Sequence, residues 1–167
     1  ITIIGNYSFR YCRSLKEIKF PKSLISIVEG SFNGCSSLER VDLLHTNVEY
    51  LGHCAFADCK SLREMKIPDS LQTFSFDVFR GCSNLVVVDI PEGITSIGNR
   101  SFEVCSSLKD IRFPKSLRSI GNFSFQNCSS LEQVDLLHTN VTNLGIQAFN
   151  SCTSLREMKV PDSLQTF

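Results

Sequence analysis

Apolar and polar positions alternate along this chain in one recurring phrase. A Phe is followed three residues on by a Cys and three further by a Leu, and then by two apolar residues separated by a polar one. Phe9, Phe32, Phe56, Phe79, Phe102, Phe125 and Phe149 head the copies. Their Cys partners are Cys12, Cys35, Cys59, Cys82, Cys105, Cys128 and Cys152, and the Leu column runs Leu15, Leu38, Leu62, Leu85, Leu108, Leu131 and Leu155. The Phe residues are spaced by 23, 24, 23, 23, 23 and 24. A fixed period in this range predicts a solenoid whose repeats bury a shared apolar column between neighbours.

Within one phrase the elements can be read in order. Val41 and Leu43, like Val134 and Leu136, alternate with polar residues at period two, which predicts a half-buried strand after each Leu. All five prolines, Pro21, Pro68, Pro91, Pro114 and Pro161, fall at the predicted strand exit, where a residue without an N–H fits the end of a ladder. An apolar pair three apart follows, as in Leu24 and Ile27, and then often a Gly at a bend, as at Gly98 and Gly121. Phe, Cys and Leu at i, i+3 and i+6 predict short helical or 3₁₀ turns for the return segment.

Two longer copies, Leu38 to Val48 and Leu131 to Val141, read LxxLxLxxTxV, close to the leucine-rich repeat signature with Thr in the Asn position. The phrase F-x-x-C-x-x-L-x-x-[IVM]-x-[FLIV]-P, well represented by Phe102 to Pro114, covers the whole chain and resembles the BspA-type leucine-rich repeat family. The resemblance implies an α/β repeat solenoid, a right-handed superhelix with a parallel β-sheet on its concave face and short helical turns on its convex face. It also implies a non-catalytic adhesion or protein-binding module, on a cell surface or secreted, with extracellular or host proteins as partners.

Composition narrows this further. Lys plus Arg and Asp plus Glu both total 17, so nothing favours a nucleic-acid partner or an anionic membrane. No run of 18 apolar residues is present, and direct membrane insertion of this segment is not expected. Residues 1–167 are expected to form one solenoid of about seven repeats, a fragment of a longer array lacking both caps, because the first and last repeats resemble the internal ones.

The expected partner-binding residues are those pointing outward from the strands. Down one column the charge alternates at every step: Lys19, Asp42, Lys66, Asp89, Arg112, Asp135, Lys159. Stacked parallel strands bring such neighbours within pairing distance. Two readings follow, a charge-patterned recognition surface and a self-neutralising sheet. Val86 and Val87 interrupt the charges with an apolar spot.

The cysteine column is expected to be a buried row of free thiols. Its side chains point the same way and form no C-x-x-C ligand pair, so neither disulfides nor a metal site is expected. Cys54 lies off the column and is the one thiol suspected of reactivity. His45 and His138 occupy equivalent turn positions, so duplication explains them better than catalysis, and His53 stands alone. Sequons occur at Asn6, Asn99, Asn122, Asn127 and Asn140. No catalytic constellation or phosphate loop breaks the repeat, and neither enzymatic activity nor a cofactor is expected. Free thiols and a neutral surface leave open an intracellular alternative, a cytoplasmic or cytoskeletal scaffold. A shift of 93 residues superposes residues 16 to 24 on 109 to 117 and Arg63 to Phe74 on 156 to 167, so the duplicated unit is four repeats.

Overall fold

The computed structural model describes residues 1–165, a parallel-strand solenoid of about seven turns. The strands fall into two separate ladders. The first consists of two-residue strands, β1 (Ile3–Ile4), β2 (Ser26–Ile27), β4 (Tyr50–Leu51), β6 (Thr73–Phe74), β8 (Ser96–Ile97), β10 (Ser119–Ile120) and β12 (Asn143–Leu144). The second consists of three-residue strands, β3 (Arg40–Asp42), β5 (Glu64–Lys66), β7 (Val87–Asp89), β9 (Asp110–Arg112), β11 (Gln133–Asp135) and β13 (Glu157–Lys159). All pairings are parallel and in register between consecutive repeats, for example Arg40 with Glu64 and Asp42 with Lys66.

The longer strands are the ones expected from the period-two pattern. Their middle residues, Val41, Met65, Val88, Ile111 and Val134, are buried while both flanking residues are exposed. The ladder of two-residue strands arises where the sequence showed only an apolar pair. The second member of that pair, such as Ile27, Leu51 or Ile97, points into the core.

The expected helical turns are not formed. Among the described residues there is no α-helix or 3₁₀ helix, and the return segment is a third ladder built from turns. In every repeat the residues two before and two after the Phe have positive φ: Tyr7 and Tyr11, Gly30 and Gly34, Cys54 and Asp58, Asp77 and Gly81, Arg100 and Val104, Phe123 and Asn127, Gln147 and Ser151. A left-handed residue at every fourth position cannot continue a right-handed helix. The N–H groups divide accordingly. Arg10 and Cys12 donate to carbonyls three residues back in their own repeat, whereas Tyr7, Phe9 and Tyr11 donate to Glu29, Ser31 and Asn33 in the next. The same three cross-repeat bonds recur at all six steps, ending with Phe123 to Ile146, Phe125 to Ala148 and Asn127 to Asn150.

Packing follows from this alignment. The Phe rings form one stack, with centroids 5.1 Å apart from Phe9 to Phe32 and 5.2 Å from Phe102 to Phe125, the ring planes nearly parallel in both cases. Aromatic pairs in offset stacking add to the area they bury. Phe20, Phe74 and Phe113 meet this stack edge-on. Gly121 is required by close approach rather than by a bend: a Cβ there would lie 2.7 Å from the Asn99 nitrogen of the preceding repeat. Ser31, Ser101 and Ser124 are fully buried just before the Phe, and each donates its hydroxyl to carbonyls of its own and the preceding repeat. In the two longer repeats Thr46 and Thr139, which replace the Asn of the signature, donate to Leu43 and Leu136 at 2.7 Å and close the strand exit that Pro closes elsewhere.

Candidate functional site: the outward face of the longer strands

The longer strands turn both flanking residues outward: Asp42, Lys66, Val87, Asp89, Arg112, Asp135 and Lys159 lie on them, Val86 immediately precedes β7, and Lys19 holds the equivalent place in the first repeat, which forms no strand there. Lys19, Asp42, Lys66, Val86, Val87, Asp89, Arg112, Asp135 and Lys159 are all exposed. Register sets charges of opposite sign side by side at Asp42 and Lys66, at Asp89 and Arg112, and at Asp135 and Lys159.

The lateral ion pairs form in twos rather than as a continuous chain. Lys66 Nζ lies 3.8 Å from Asp42 Oδ2, and Arg112 Nε lies 3.5 Å from Asp89 Oδ1. Lys66 and Lys159 also turn back within their own strands to Glu64 and Glu157, each at 3.6 Å. These groups are well exposed, so each pair is weak. The face is partly self-neutralised, and among the described residues Lys19 and Asp135 remain outside its ion pairs.

Two shallow grooves mark the face. One, of about 370 Å³, is lined by Lys16, Glu17, Glu39 and Arg40, and the other, of about 340 Å³, by Lys109, Asp110, Glu132 and Gln133. The second set is the first displaced by 93 residues, so the block duplication has copied a surface feature as well as a core. Val86 and Val87 lie between the two in sequence, 38% and 41% exposed.

The cysteine column behaves as a structural element. All eight cysteines are free, and Cys35, Cys59, Cys82, Cys105 and Cys128 are buried. Each column Sγ from Cys35 to Cys152, Cys54 being off the column, donates to the carbonyl of the preceding repeat's Phe, as from Cys82 to Phe56 at 3.1 Å and Cys105 to Phe79 at 3.3 Å. Burial pushes the Cys35 and Cys152 thiols up to about 11 and those of Cys59, Cys82 and Cys105 well above the ordinary value. These thiols are therefore poor nucleophiles.

His45 and His138 are equally structural, with Nε2 at 2.7 and 2.8 Å from the carbonyls of Phe20 and Phe113 one repeat back. Two sequon residues have a role in stacking. Asn99 Oδ1 accepts the Asn122 N–H at 2.8 Å, and Asn122 Oδ1 accepts the Ile146 N–H at the same distance. One grouping was hidden by sequence distance: the fold brings His53 and Cys54 beside Asp77, their donor atoms within 4.8 Å of one another.

The comparisons agree with this architecture. The solved leucine-rich repeat protein of T. pallidum is 29% identical, with a TM-score of 0.86 over 93% of this chain and 72% of that one. A leucine-rich cell surface protein of Faecalibacterium prausnitzii A2-165 is 28% identical, with a TM-score of 0.88 over 99% of this chain and 44% of that one. The pneumococcal vaccine antigen PcpA shares the fold at 21% identity and a TM-score of 0.54, over 98% of this chain and 53% of its own. A comparison with curated proteins gave no match. The profile described as "BspA type Leucine rich repeat region (6 copies)" matches residues 1–92 and 76–167, and the chain belongs to that family of leucine-rich repeat proteins.

Proposed function

We propose that the chain is a non-catalytic protein-binding module, presented on a cell surface or secreted, whose longer-strand face receives an extracellular or host protein. The observation that supports this best is the pair of equivalent grooves on one exposed, charge-patterned face, 93 residues apart in sequence. Four strand steps at about 4.8 Å separate them by roughly 19 Å, a span suited to an extended or repetitive protein surface. Leucine-rich repeat solenoids generally bind proteins, and one structural relative is itself described as a cell surface protein. The intracellular scaffold drew support from free thiols, but burial and raised pKa values protect most of them in an oxidising compartment too.

The test is affinity capture on the immobilised chain from extracellular and host-surface proteins, followed by titration of the captured protein against face variants. Val87→Asp and Asp42→Lys are expected to weaken binding at least about tenfold, the loss of one well-placed interfacial group. Unchanged affinity in both, with intact circular dichroism, would place recognition elsewhere on the solenoid.

A further inference from the structure

The repeat is broken chemically at one place on its turn ladder. At the left-handed position two before the Phe, consecutive repeats present Cys54, φ 53°, and Asp77, φ 58°, and His53 immediately precedes Cys54. Parallel stacking sets this column in line, so two residues 23 apart in sequence become neighbours. His53 Nδ1 is 3.8 Å from Asp77 Oδ2, and the ligand atoms of His53, Cys54 and Asp77 all fall within 4.8 Å of one another.

We propose that His53, Cys54 and Asp77 bind one Zn²⁺ ion, with a fourth position left to water. Nitrogen, sulfur and oxygen donors in a set of three suit a borderline-soft ion, and three protein ligands are the number found in zinc sites that keep an open position. Tetrahedral coordination at bond lengths of about 2.0–2.3 Å needs ligand atoms about 3.3–3.8 Å apart. The cluster therefore has to contract slightly, and exposed His53 is the side chain free to move.

The surroundings orient the ligands. Arg80 Nε holds Asp77 Oδ1 at 3.1 Å, which leaves Oδ2 facing His53. Such an outer partner fixes a ligating carboxylate. The Phe76 ring stands edge-on to the imidazole with centroids 6.3 Å apart. Against binding stands the hydrogen-bond contact between His53 Nδ1 and the Phe76 carbonyl at 3.0 Å, which ligation through Nδ1 replaces. The Cys54 thiol releases its proton to solvent when it ligates, driven by the charge of the ion.

The sequence contains its own control. Ninety-three residues on, Leu144-Gly145 and Ala148-Phe149 repeat Leu51-Gly52 and Ala55-Phe56, but Ile146 and Gln147 stand where His53 and Cys54 do. Gln147 has the same φ of 53° as Cys54. The fold therefore accepts this turn without either ligand, and His53 and Cys54 are not required by packing.

The experiment titrates the reduced chain with Co²⁺ and then with Zn²⁺. One equivalent of Co²⁺ is expected to give a thiolate-to-cobalt charge-transfer band that one equivalent of Zn²⁺ abolishes. Replacing His53 and Cys54 with the sister repeat's residues, H53I with C54Q, removes the band, and Asp77→Asn weakens Zn²⁺ at least about tenfold. Cys12→Ser, which removes the exposed column thiol, leaves the band unchanged. A wild-type chain without the band, or a double variant that keeps it, overturns the proposal. So does loss of the band in Cys12→Ser.

Discussion

At the scale of single residues, the solenoid depends on left-handed positions occupied mostly by residues other than Gly. Val104 is the extreme case, a β-branched residue at φ 60°. Such a residue resists this region, and a left-handed residue with a Cβ costs about 1–2 kcal/mol. Its side chain is 41% exposed and contributes little packing. Val104→Gly is therefore expected to stabilise the fold by about 1 kcal/mol, offset in part by the entropy of a Gly in the unfolded chain. Differential scanning calorimetry should show the melting temperature rising by about 2–4 °C, and a fall would remove strain as the dominant effect.

The thiols give a pH dependence with a definite sign. Folding raises the pKa of Cys35 and Cys152 from 9.0 to about 11, so the folded state holds these protons more tightly than the unfolded state. Their contribution is complete below pH 9 and is lost as pH rises towards 11. Stability is expected to fall over that window. In a Cys35→Ala variant the fall should be shallower than in the wild type, measured by urea denaturation at each pH. Lysine deprotonation affects both proteins alike and cancels in the comparison.

At the scale of elements, the longer strands carry their charges in lateral pairs. Lys66→Glu sets a third carboxylate beside Asp42 and Glu64, the two groups that Lys66 now joins. An exposed pair is worth about 0.2–1 kcal/mol, so a loss of about 1–4 °C in melting temperature is expected at low salt and less at high salt. An unchanged melting temperature at low salt would show that the pair contributes nothing.

The elements also show what could be read in the residues beforehand. Val41, Met65 and Val134 announced their strands because one buried residue between two polar ones leaves no other economical arrangement. The Phe, Cys and Leu columns announced the core, and the outward face followed from the strands. The return segment misled because spacing at i, i+3 and i+6 fits any conformation that brings every third residue inward, helical or not. Gly30, Gly34 and Gly81 occupy left-handed positions, but Tyr7, Arg100 and Phe123 adopt the same φ without a chemical signature. His53 and Cys54 with Asp77 escaped for another reason. Their proximity depends on superposing two repeats position by position, not on any spacing within one.

At the scale of the whole molecule, the three ladders are not equally continuous. Among the described residues, β6 and β8 are not hydrogen-bonded, nor are β9 and β11, and β5 meets β7 only at Glu64 and Val87. The turn ladder makes its three bonds at every step, with distances between 2.7 and 3.1 Å. Amide exchange should reflect this difference. Ser96 and Gly98, at the β6 to β8 interruption, are expected to exchange faster than Ser119 and Gly121, whose N–H groups donate to Thr95 and Ile97. Equal protection in the two pairs would mean that the interruption closes in solution.

An array that is continuous along one side and interrupted along the other behaves mechanically as a strap hinge. The turn ladder is the strap, resisting extension because each step must break three bonds together. The gaps between strands are the places where the opposite side can open or close by small amounts. Curvature of the longer-strand face then becomes an adjustable property rather than one fixed by the repeat.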